Sequence, residues 1–157
     1  MTAARIRTAR ATDDAALAGL LRQIGWFSEL EEASPDEAAR RVRRHLELAL
    51  GDNSHSVYVA EAEGRLTGYC AVHWLPTLFL AGPEGYVSEL FVEEGERNRG
   101  VGRALLDVIA AEAHGRGCSR LLLFNGRERE SYKRGFYIKA GWEEHPELAL
   151  FLQRLAS

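Results

Sequence analysis

The chain has 157 residues, of which 46% are apolar and 27% charged, and its formal net charge is −3. That composition suits one globular domain over residues 1–157 and excludes a disordered or fibrous chain. The mildly acidic balance, with basic and acidic residues interspersed, gives no general attraction for nucleic acid. Residues 1–14 carry Arg5, Arg7 and Arg10 without an apolar run, so no signal peptide or membrane span is expected there, and the expected location is cytoplasmic. Cys70 and Cys118 sit in apolar contexts and read as reduced thiols. No Cys and His cluster has metal-ligand spacing, so no metal is expected.

In chain order, residues 5–10 read as a first strand. Thr12 can cap a helix whose apolar face is Leu17, Leu20, Leu21 and Ile24, with Gly25 as its stop. Trp26 and Phe27 lead into an acidic loop with Glu29, Glu31 and Glu32. Ser34, Pro35 and Glu37 form a capping box with proline at the first helical position. Ala38, Val42, Leu46 and Ala49 give that helix its buried face, and Gly51 ends it.

Residues 57–62 and 66–74 read as strands of a hairpin turning at Glu63-Gly64. Residues 75–85, with two prolines, form a loop. Residues 86–92 are rich in β-branched and aromatic types and read as a strand. Val101, Ala104, Leu105, Val108 and Ile109 recur at helical spacing. Residues 121–124 form a continuous apolar run, expected to be a parallel strand buried on both faces. Residues 130–140 read as a helix closed by Gly141, and 148–155 as a final strand. The alternation of strands and helices predicts an α/β fold with a mixed sheet and helices on both faces.

Between the strand at 86–92 and the helix after it lies Arg97-Asn98-Arg99-Gly100-Val101-Gly102. Glycines let the backbone approach a ligand, and a helix start leaves unpaired N–H groups at a partly positive end. This is the chemistry of a pyrophosphate cradle, to which Arg97, Asn98, Arg99 and Arg103 add donors and charge. A P-loop is excluded because no Lys follows Gly102. A dinucleotide fingerprint is excluded because position 105 is Leu.

The segment resembles the signature of the GNAT superfamily of acetyl-CoA-dependent N-acetyltransferases: Gln or Arg, two residues, Gly, one residue, then Gly or Ala, directly after a strand. Glu89-Leu90-Phe91-Val92 before it and Arg103-Ala104-Leu105-Leu106 after it are similar to that family. So is Phe136-Tyr137-Ile138-Lys139-Ala140-Gly141-Trp142. The resemblance covers nearly the whole chain. It implies that the strands starting near Tyr86 and Leu121 run parallel and splay apart. It also implies that pantetheine of acetyl-CoA lies beside Leu90, Phe91 and Val92 as a pseudo-strand.

Acetyl transfer from a thioester to an amine needs a neutral amine, a stabilised oxyanion and a partner for the departing thiolate. The family motif places Tyr137 as that partner, with Tyr132 as the weaker competitor. Glu89, an acid inside an apolar strand, is the candidate general base, and strand alternation turns Ser88 to the other face. Asn125 is the candidate pantetheine contact, although the family pattern has Asn where this chain carries Glu130; Ser131 or a nearby arginine is the substitute.

Trp26, Phe27 and Glu29 are the expected acceptor pocket, together with the acidic loop and loop 75–85, because aromatics and acids suit a cationic amine. A merely solvated acidic loop is the competing reading. His73, Trp74 and His145 read as ordinary strand and loop residues. The leading function is direct acetyl transfer to a small amine or peptide in a ternary complex, with a homodimer compatible with it. The alternative is an acyl-CoA-binding module without turnover.

Overall fold

The computed structural model of the chain describes residues 3–156. They divide into two compact units, Met1–Phe124 and Asn125–Ser157. The first unit holds a five-stranded sheet in the order β1-β2-β3-β4-β5. Its strands are β1 Arg5–Thr8, β2 His55–Ala62, β3 Arg65–Leu75, β4 Glu84–Val92 and β5 Arg120–Leu123. Successive pairs are antiparallel up to β4, and β4 with β5 is parallel. A parallel pair needs a crossover, and helix α4, Val101–Gly115, supplies it.

Helices α1 (Asp14–Ile24), α2 (Ser28–Glu32) and α3 (Pro35–Leu50) precede β2. Residues 28–32, expected as loop, therefore form a short helix. Thr12 does not cap α1. Residues Ala11–Asp13 make a 3-10 turn, organised by Asp13, whose carboxylate accepts two 2.9 Å bonds from Arg7 and one from the Arg10 N–H at 2.7 Å. The Ser34 hydroxyl does accept from the Glu37 N–H at 3.2 Å. The box is left half closed, because the Glu37 carboxylate takes Arg41 instead, at 2.6 Å. The β2–β3 hairpin turns on Glu63 and Gly64, both at positive φ, as a type I′ turn requires.

Leu17, Leu20, Leu21 and Leu46 of α1 and α3 bury one face of the sheet, over Val57, Val59, Tyr69 and Ala71. Alternation turns Ser56 and Tyr58 to the opposite face, where both hydroxyls donate to Glu112 of α4, at 2.8 and 2.6 Å. Arg116 completes that cluster. It bonds Glu112 at 3.0 Å and stacks over the Trp74 ring at 4.7 Å. Helices thus cover both faces of a mixed sheet. Strand β5 departs from the expected burial: it ends the sheet, its residues are exposed or half-buried, and Phe124 beyond it is 57% exposed.

In the second unit the expected helix 130–140 is two short helices, α5 (Glu130–Lys133) and α6 (Phe136–Lys139). Gly135 separates them at φ 68°, a left-handed backbone that no α-helix interior can contain. The expected strand 148–155 does not form. A strand exists only through pairing, and no described strand pairs with this run. Its apolar side chains are correspondingly exposed, Phe151 at 92%.

Candidate active site

Strand β4 has two different edges. Against β3 it is paired from Glu84 to Val92. Against β5 it is paired only from Glu84 to Val87. A 2.6 Å ion pair from Arg120 to the buried Glu84 locks the joined end. Beyond Val87 the parallel strands part, and the open edge of residues 88–92 has no strand partner among the described residues.

A β-bulge lies at the fork. Ala71 pairs with Glu89 and Val72 with Val87, leaving Ser88 as an extra residue. A bulge interrupts the two-residue alternation. Tyr69 and His73 stand four residues apart on β3 and so share a face. Tyr69 donates to Glu89 at 2.9 Å, and His73 Nε2 lies 2.9 Å from the Ser88 hydroxyl. Ser88 and Glu89 therefore face the same side, contrary to the alternation reading.

That side opens into a cavity of about 500 Å³, lined among others by Glu89, Tyr69, His55, His73 and Glu29. Burial, and then the charge of Glu89, push the Tyr69 phenol far above its ordinary range, so it is a permanent donor to the carboxylate. Burial, and then the neighbouring His55 ring, hold His73 below the usual imidazole range. The two imidazoles meet edge to face with centroids 4.5 Å apart.

The expected acceptor residues do not converge on one cavity. Glu29 lines the larger one with Glu89. Trp26 lines a second cavity of about 400 Å³ with Arg97 and Glu93. Phe27 packs edge-on against Phe91 at 5.4 Å, and Phe91 also meets Trp26 and Tyr69. This aromatic cluster ties α1 and α2 to the open half of β4. Loop 76–83 contributes to neither cavity, and Leu78 at its tip is fully exposed.

Beyond Val92 the chain makes the turn that leads into α4. A 3-10 turn over Glu94–Glu96 is followed by Asn98 at φ 63° and Gly100 at φ 83°. Arg97 holds the turn to the strand by donating from Nε to the Val92 carbonyl at 3.1 Å. Gly100 is the N-cap of α4, where its carbonyl accepts from Ala104 at 2.9 Å, and no side chain caps the helix. Among the described residues no acceptor bonds the N–H groups of Val101, Gly102 and Arg103, which lie at the positive end of a 15-residue helix. A Cβ at Gly100 would meet nothing within 4 Å, so its glycine answers the left-handed backbone and not crowding by protein. Arg99 and Arg103 sit at the rim, in ion pairs with Glu96 at 3.4 Å and Asp107 at 3.0 Å.

The profile of the acetyltransferase (GNAT) family matches residues 21–141. The chain belongs to the GNAT family. It is 33% identical over 134 residues to glucosamine 6-phosphate N-acetyltransferase 1 of Oryza sativa subsp. japonica, covering 82% of this chain and 78% of that one. Among solved structures it is similar in fold to glucosamine-6-phosphate N-acetyltransferase from Arabidopsis thaliana, with a TM-score of 0.76, 19% identity and coverage of 99% and 100%. A transcriptional regulator from Bacillus halodurans C-125 gives a TM-score of 0.81 at 20% identity, with coverage of 95% and 99%.

The co-substrate of GNAT proteins is acetyl-CoA, and this GNAT chain offers features that fit it. The open edge of β4 at Leu90, Phe91 and Val92 has backbone groups to give to an amide-bearing chain. The uncapped turn from Arg97 to Arg103 has N–H groups to give to a pyrophosphate. In the second unit, Asn125 has its Oδ1 held by the Ser131 hydroxyl at 3.2 Å, while its Nδ2 is buried without a partner. Ser131 therefore holds Asn125 by its carbonyl oxygen. A buried donor left unpaired is costly, and this one is available to an acceptor outside the chain.

The same unit separates its two tyrosines. Tyr132 donates to the Glu144 carboxylate at 2.9 Å. The Tyr137 hydroxyl bonds to no described residue, and burial pushes its phenol up to about 12. Residue order alone set Ser88 and His73 aside and did not bring Tyr69 or His55 to the side of Glu89. The period-2 spacing of Tyr69, Ala71 and His73 was the available signal, but the bulge on the partner strand hid what they face.

Proposed function

We propose that the chain moves an acetyl group from acetyl-CoA directly to the primary amine of a small molecule within a ternary complex. The observation that carries this reading is the fork at Ser88. One strand edge is open for the pantetheine arm, an anion-ready turn follows it, and a cavity holding a carboxylate adjoins it. Glu89 keeps Oε1 on Tyr69 and meets the acceptor's ammonium with its other oxygen. Tyr137 is the proposed partner of the departing thiolate. A phenol near 12 stays protonated throughout the physiological range, so it serves as a hydrogen-bond donor to sulfur. Full proton transfer to a free thiolate of ordinary pKa about 8.5 would be uphill by roughly 5 kcal/mol.

A cavity of about 500 Å³ suits a small acceptor better than a protein surface. The relatives named for glucosamine 6-phosphate support an amino sugar as the first compound to try. Free Cys70 and Cys118 support a reducing, cytoplasmic setting. The exposed apolar side chains of residues 148–155 support a second copy of the chain as partner.

The test is CoA release measured with acetyl-CoA and a panel of amines: glucosamine 6-phosphate, an aminoglycoside, free amino acids and a short peptide. Amine-dependent release from one small acceptor is expected. Tight acetyl-CoA binding with no release from any amine would show a binding module instead.

A further inference from the structure

We infer that Ser88 and His73 form the path by which the acceptor's ammonium loses its proton before attack. This rests on the acetyl-transfer reading. The bulge is the first reason: at the point where β4 loses β5 it brings the Ser88 hydroxyl to the side of the sheet that carries His73 and Glu89, both of which line the cavity. The second is the 2.9 Å contact between Ser88 Oγ and His73 Nε2. With the ring proton on Nδ1, the hydroxyl donates to Nε2 and keeps its lone pairs for an incoming N–H.

The third is the setting of His73. It lines the cavity, stacks on Tyr86 at 5.7 Å and meets the His55 ring, whose Nδ1 lies 2.7 Å from the Ser54 hydroxyl. Ser54 in turn donates to the exposed Asp52 at 2.5 Å. Besides His73, the ionisable groups facing this cavity are Tyr69 from β3, Glu89 from β4, His55 from β2, Glu29 from α2, and Arg41 and His45 from α3. Burial and the second imidazole favour neutral His73, a base ready to accept.

The proton balance is simple. The ammonium gives one proton to Ser88 Oγ as the hydroxyl proton passes to His73 Nε2, leaving a neutral amine and an imidazolium. The amine forms the C–N bond, the C–S bond breaks, and the second amine proton ends on CoA. The imidazolium, disfavoured beside His55, returns its proton to solvent through the cavity. Glu89 then has the separate task of holding the cation.

The experiment has two arms. Histidine NMR titration of the protein without substrates should show His73 titrating below the ordinary imidazole range, and moving upward in His55→Gln. Titration of His73 above neutrality would overturn the inference. In kinetics, His73→Gln should lower kcat/KM by about 10²-fold at neutral pH and abolish its acid limb. The loss should be recovered as pH approaches the acceptor amine's own pKa. His55→Gln should move the acid limb to higher pH. Ser88→Ala should lower kcat/KM about 10-fold while the limb stays, a modest hydrogen-bond loss. Wild-type turnover with an unchanged pH profile in His73→Gln would overturn this inference alone. Wild type releasing no CoA with any amine would overturn it together with acetyl transfer. If His73→Gln does not fold, the His55→Gln limb and the titration decide.

Discussion

The backbone N–H of Trp142 donates to the carbonyl of Tyr137 at 2.9 Å, and the two rings meet edge-on at 6.1 Å. With Gly141 at φ 92° and its N–H on the Ile138 carbonyl at 3.0 Å, this is a Schellman close of α6. The aromatic-Tyr-x-x-x-Gly-aromatic spacing is thus a helix-ending device, and it fixes the orientation of the tyrosine. Tyr137→Phe should leave acetyl-CoA affinity near normal and lower kcat by about 10²-fold, about 2.7 kcal/mol of barrier. Tyr132→Phe should cost much less, because that hydroxyl is committed to Glu144. Stopped-flow and steady-state rates on both variants check it. Wild-type kcat in Tyr137→Phe, with chemistry limiting, would remove the tyrosine from the mechanism.

Glu89→Gln keeps the shape and the Tyr69 hydrogen bond but removes the charge that attracts an ammonium. The expected result is a raised KM for the amine and a kcat/KM lower by about 10²-fold, the scale of a lost charge-assisted bond. Tyr69→Phe, which removes only the donor, should lose about 10-fold. An unchanged amine KM in Glu89→Gln would place the ammonium elsewhere.

Gly100 separates binding from folding. As the N-cap of α4, an Asp there can itself accept from the helix N–H groups and offset the cost of its left-handed φ. Gly100→Asp should therefore keep its melting temperature within a few degrees while acetyl-CoA binding falls by at least about 10²-fold, since the carboxylate occupies the anion's place. Gly100→Asn, neutral and tolerant of that backbone, should lose much less. Calorimetric titration showing equal affinity in Gly100→Asp and wild type would disprove the phosphate cradle.

Stability should fall at alkaline pH. Burial pushes the Cys70 thiol up to about 12 and holds the Tyr69 and Tyr58 phenols above their ordinary range. The folded values lie above the unfolded ones, so the unfolded chain releases these protons first. The stabilisation is complete below about pH 8.5, where even an unfolded thiol keeps its proton. It drains away as pH rises toward 12. Urea midpoints measured from pH 7.5 to 11 should decline across that window, with a shallower slope in Cys70→Ala. A flat profile would mean that these groups titrate alike in both states.

The helical periods of α1, α3 and α4, the hairpin at Glu63-Gly64 and the glycine turn from Arg97 to Gly102 were readable from residue order, because each depends on contacts within a few positions. The family motif around Tyr137 was readable for the same reason: a Schellman close needs only six consecutive residues. Five other features were decided by tertiary structure. Ser88 shares a face with Glu89 and meets His73 because pairing with β3 inserts an extra residue there, and alternation cannot register a partner strand. Glu89 is tied to Tyr69, twenty positions away, and His73 meets Ser88 and His55 from two neighbouring strands. Residues 148–155 carry a strand's pattern without a strand's partner, and β5 carries a buried strand's composition at the sheet's edge. Local sequence sets what a segment can become. Hydrogen-bond partners and burial, which come from distant segments, set what it is and which chemistry its side chains meet.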